Sequence, residues 1–102
     1  MAAIPERAPI EAALSEAQLR ALRENCAGLG VPFEHWPHVP ALRGFAVLAA
    51  TLHTVRELEA EGVSRTRAIG RTAARFGLND KAVASLLSRS AEAGIRGPIR
   101  AA

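Results

Sequence analysis

At 102 residues the chain is one domain, long enough for a modest core of three to five helices. Apolar residues make up 49%, too many for a disordered segment, and the single cysteine, Cys26, excludes an internal disulfide framework. The net charge of +3 is unevenly spread. Residues 1–61 carry five arginines against eight glutamates, a balance of −3, whereas residues 62–102 carry seven arginines and Lys81 against Asp80 and Glu92, a balance of +6. An acidic front and a basic back point to one surface meant for a polyanion. Alanine is abundant and β-branched residues are sparse, so the expected fold is all-α. A lone thiol fits a reducing, cytoplasmic setting. The opening MAAIPERAPIEAAL lacks the basic and apolar regions of a signal peptide, and the longest apolar stretch, Phe45 to Ala50, is too short to span a bilayer, so no membrane is expected.

Residues 1–13 carry Pro5 and Pro9 and are expected to be a flexible segment. A helix follows. Ser15 with Gln18 reads as a capping box and Leu14 with Leu19 as a hydrophobic staple. Leu19, Leu22, Cys26 and Leu29 form a narrow apolar stripe, and Gly28 or Gly30 ends the helix. Pro32, Pro37 and Pro40 then forbid a regular helix over residues 30–40, where Phe33 and Trp36 are expected to pack inward. Residues 14–40 are therefore read as a docking or dimerisation segment, with a protein partner as a further use. Pro40 suits the first turn of a long helix over about 41–61, ending at Gly62. Its apolar positions are Leu42, Phe45, Leu48, Leu52 and Val55, with Ala46 and Ala49 beside them.

Ser64 can cap the next helix, about Arg65 to Phe76. On a helical wheel Ile69, Ala73 and Phe76 share one side, and Arg67, Arg71 and Arg75 form a ridge nearly opposite. Like charges four residues apart repel, by a few tenths of a kcal/mol per pair, roughly, and a polyanion removes that cost. The last helix is expected from Asp80 to about Glu92. Val83, Leu86 and Leu87 face inward, leaving Lys81, Ala84, Ser85, Ser88 and Arg89 outside. Small and basic side chains of this kind can approach base edges: Lys or Arg to guanine, Ser to several acceptors, the Ala methyl to thymine. Residues 94–102, with Arg96 and Arg100, read as a flexible basic tail.

Between these two helices lies a corner: small Ala73, then Gly77 four residues on, Leu78, polar Asn79 and Asp80, and apolar Val83 and Leu86. Ala73 permits close crossing, Gly77 can take positive φ, and Asn79 or Asp80 can cap the second helix. The pattern over Gly62–Arg89 resembles the helix-turn-helix superfamily of DNA-binding proteins. One position departs from it, since Thr72 stands where a larger apolar residue is more usual. The resemblance implies a small tri-helical core over residues 41–93, with an extra N-terminal helix and the proline-rich loop in front of it. It also implies that Asp80–Glu92 is a recognition helix entering the major groove.

Cys26, His35, His38 and His53 are the possible soft ligands, but their spacing matches no zinc motif, so no metal and no cofactor are expected. Neither a nucleophile–base arrangement, a phosphate-cradling glycine loop nor an HExxH stands in the chain, so it is not expected to be an enzyme. The functional expectation is a sequence-specific double-stranded DNA-binding protein, a homodimeric transcriptional regulator. Arg65, Arg67, Arg71 and Arg75 are assigned to phosphates, and Asn79, Lys81, Ala84, Ser85, Ser88 and Arg89 to base readout. The alternative is a protein-interaction adaptor, such as an anti-defence protein of a mobile element, whose basic face meets an acidic protein.

Overall fold

A computed structural model describes the backbone of residues 7–92 and the side chains of residues 7–89. The fold is all-α. Five α-helices run in the order α1 (Arg7–Ala12), α2 (Glu16–Leu29), α3 (Pro40–Ala60), α4 (Arg65–Phe76) and α5 (Asp80–Glu92), with a 3-10 helix (Phe33–His38) between α2 and α3.

The start of the chain departs from the sequence expectation. Residues 7–12 are helical, not flexible. Pro9 sits in the first turn, where no intrahelical N–H is needed, so it does not prevent the helix. Arg7 pairs with Glu11 one turn on, and Ile10 is fully buried. Residues 1–6 and the basic tail 94–102 lie outside the described residues.

α2 begins with a reciprocal capping box. Gln18 donates its backbone N–H to Ser15 Oγ at 3.1 Å, and Ser15 donates its own to Gln18 Oε1 at 3.0 Å. Gly30, at φ 68°, closes the helix in the left-handed conformation. Its buried face is Gln18, Ala21, Leu22 and Cys26. The expected stripe is thus displaced: Leu22 and Cys26 lie on it, but Leu29 is 57% exposed. Gln18 can be buried because the cap occupies its side-chain oxygen.

The proline-rich segment is not wholly irregular. Phe33–His38 winds as a 3-10 helix, a form that tolerates Pro37 and its missing N–H over a short run. Trp36 is fully buried, and its indole N–H donates to Glu11 Oε2 at 2.8 Å. Phe33 is half-buried, and the guanidiniums of Arg23 and Arg7 stand over its ring, 4.4 and 5.2 Å from the centroid. The acid of α1 and the aromatics of the loop thereby fasten the N-terminal segments to each other.

α3 is the scaffold. Pro40 opens it, and every other element packs against it. Its 21 residues bury Leu42, Phe45, Leu52 and Val55 together with five smaller side chains, Ala46, Ala49, Ala50, Thr51 and Thr54. One apolar cluster gathers α1, α2, Trp36, the front of α3 and Phe76. A second gathers Val55, Ala68, Ala73 and Val83, with Leu58, Val63, Ile69 and Leu87 around them. Leu78 packs against both. Thr51 and Thr54 stand on α3 between Ala50 of one cluster and Val55 of the other, and Thr72 stands on α4 between Ala68 and Phe76. All three are buried with their hydroxyls unpartnered.

Candidate nucleic-acid interface

The local sequence sets the direction of each side chain on α4. Ser64 caps the helix by accepting from the Arg67 N–H at 3.4 Å. The buried positions are Ala68, Thr72, Ala73 and Phe76, while Ile69 is half-buried. The inward face is therefore turned one residue from the expected one, and it includes the atypical Thr72. Small residues at 68, 72 and 73 bring α4 close to α3. The same phase leaves Arg67, Arg71 and Arg75 exposed. The Arg75 guanidinium lies over the Phe76 ring, 5.4 Å from its centroid, and the residue stays exposed.

Arg65 does not share this freedom. Its Nε donates to Glu59 Oε2 at 3.0 Å and its Nη2 to Glu59 Oε1 at 3.3 Å, a two-pronged ion pair across the turn from α3 to α4. The hydrogen bond from Arg65 holds the Glu59 carboxyl below its ordinary range, and the carboxylate in turn raises the guanidinium. Sequence periodicity could not show this contact, because the pair spans six residues and a turn. Among the described residues, no ion pair engages Arg67, Arg71, Arg75, Lys81 or Arg89.

The corner is built by backbone bonds. Gly77, at φ 69°, and Leu78 both donate to the Ala73 carbonyl, Leu78 at 2.8 Å. Asn79 then caps α5, its Oδ1 accepting from the Ala82 N–H at 2.7 Å. The start of α5 lies against the middle of α4. A Cβ placed on Gly70 would stand 3.7 Å from Asp80 Oδ2. Val83 is fully buried, and Leu86 and Leu87 are half-buried. On the other side Lys81, Ala84, Ser85, Ser88 and Arg89 are all exposed and line an open depression of about 510 Å³. The six residues assigned to base readout thus divide. Five share one open face, and Asn79 is occupied by its cap.

The possible metal ligands do not converge. Cys26 is buried, which pushes its thiol above the ordinary value. His35 and His38 stand edge to face at 6.5 Å, and His53 lies beside Glu57 at 3.3 Å. Among the described residues no three Cys, His, Asp or Glu side chains gather as a metal site, and no helix is long and apolar enough to cross a membrane. Comparison with protein-family models, curated proteins and solved structures finds no match to this chain.

Proposed function

We propose that the chain is a sequence-specific double-stranded DNA-binding protein of the helix-turn-helix kind, a homodimeric transcriptional regulator working in the cytoplasm, with α5 as its recognition helix. The observation that supports this reading most is the pairing of an exposed, unneutralised arginine ridge on α4 with a helix face of small and basic side chains on α5. Arg67, Arg71 and Arg75 contact phosphates and set orientation, while α5 meets bases. Arg65 serves the turn and contributes less. A unit of this size makes few contacts, so two copies bind a palindromic site. The copies meet through residues 14–40, where Leu29 stands exposed.

The test is retention of duplex DNA as salt is raised. Each neutralised phosphate contributes roughly 0.9 to the slope of log K against log salt. Arg71→Ala flattens that slope by about one contact and weakens all sequences alike, whereas Arg65→Ala changes it less. A slope near zero that none of these substitutions alters would reject DNA and favour an acidic protein partner on the same face.

A further inference from the structure

The outer face of α5 offers a restricted set of chemical groups. Lys81 and Arg89 stand at its ends and are donors only. Guanine is the base that shows two acceptors, N7 and O6, on its major-groove edge. Adenine and cytosine present a donor there, and thymine shows one acceptor beside its methyl. Between the two cations stand Ala84, Ser85 and Ser88, and the neighbouring carboxylate, Asp80, has its Oδ2 beside Gly70 of α4. Asn79, the one amide near this face, has its Oδ1 committed to the Ala82 N–H. That bond aims the amide oxygen at the start of α5, whereas bidentate adenine reading needs oxygen and NH2 turned outward together.

The spacing follows from helix geometry. Eight residues separate Lys81 from Arg89, about 12 Å along the axis. A helix lying along the groove crosses the duplex axis obliquely, so each base pair takes up more than the axial rise of about 3.4 Å, and the two side chains stand about two to three base pairs apart. The side chains between them are small and line an open depression.

We propose, resting on the DNA-binding reading, that Lys81 and Arg89 are the specificity-determining residues for two guanines about two to three base pairs apart in each half-site. Ala84 lies against a thymine methyl between them, and Asn79 reads no base.

The experiment uses the full chain. A binding site is selected from random duplex DNA, and affinities are then measured with each guanine in turn replaced by 7-deazaguanine. That base keeps its pairing but loses N7. The selected half-site should hold two guanines at the stated spacing, and either replacement should weaken binding about tenfold. Lys81→Met should become insensitive to replacement of one guanine, and Arg89→Met to the other. Arg89→Lys should restore sensitivity at its position. Asn79→Ser keeps a capping side chain and should leave the preference unchanged. Circular dichroism of each variant establishes that the helices are intact. A selected site without spaced guanines overturns the proposal, as does a pattern of sensitivity that the two Met variants do not alter. If duplexes are retained with a steep salt dependence but no guanine pattern emerges, the spacing rule fails alone. If no duplex is retained at any salt, the DNA-binding reading fails with it.

Discussion

Glu11 holds two donors on one carboxylate oxygen: the Arg7 guanidinium and the indole N–H of Trp36. Trp36 has no exposed surface, so its N–H relies on that acceptor. Glu11→Ala should cost about 1–3 kcal/mol, the range for an unsatisfied buried donor, and Glu11→Gln, which keeps an acceptor, should cost less. Urea unfolding followed by Trp36 fluorescence gives both values, and a Glu11→Ala midpoint equal to wild type would show that the indole finds another acceptor. Thr72 presents the opposite case, a hydroxyl already buried without a partner. Thr72→Val keeps the shape and removes the polar atom. It should stabilise the fold by about 1 kcal/mol, and a lower midpoint would mean that the hydroxyl is satisfied in solution.

The turn between α3 and α4 is held by Glu59 and Arg65, and that contact carries a pH dependence. The unfolded Glu59 titrates in the ordinary carboxylate range, while in the fold the hydrogen bond from Arg65 keeps it lower. The contribution of the pair is therefore complete above the ordinary range and is lost as pH falls through the lowered value. Glu59→Gln should reduce the urea midpoint at neutral pH, with a deficit that shrinks towards acid and with added salt, since the pair is largely exposed. A deficit constant from neutral to acid pH would remove the ion pair as its cause. The helices α2 to α5 were legible in the sequence, because their ends carry local signals: Ser15 with Gln18, Gly30, Pro40, Gly62, Ser64, Gly77 and Asn79. α1 was not legible, since Pro9 is compatible with both a loop and a first helical turn. The displaced face of α2 was not legible either. Which residues of a stripe are buried depends on the neighbours that pack there, and Leu29 has none close enough to cover it.

α3 runs through both apolar clusters, and Leu78 touches each, so the two halves are expected to unfold together. Trp36 reports the first cluster, and far-ultraviolet circular dichroism reports all the helices. Their urea transitions should coincide, and a helical signal that persists after Trp36 is exposed would show that the α4–α5 half stands alone. At this scale the candidate interface was partly legible. The wheel of α4 placed three arginines outward because buried positions dictate exposed ones. The pairing of Arg65 and the capping role of Asn79 depend on how the chain turns between helices, which periodicity does not contain. The five side chains that line the outer face of α5 share one further property: none belongs to either apolar cluster. Exchanges at such positions ordinarily shift stability by no more than about 0.5 kcal/mol. Lys81, Ala84, Ser85, Ser88 and Arg89 can consequently be rewritten by mutation while the scaffold stays intact, so that descendants of this chain are free to diverge in what they grip long before they diverge in shape.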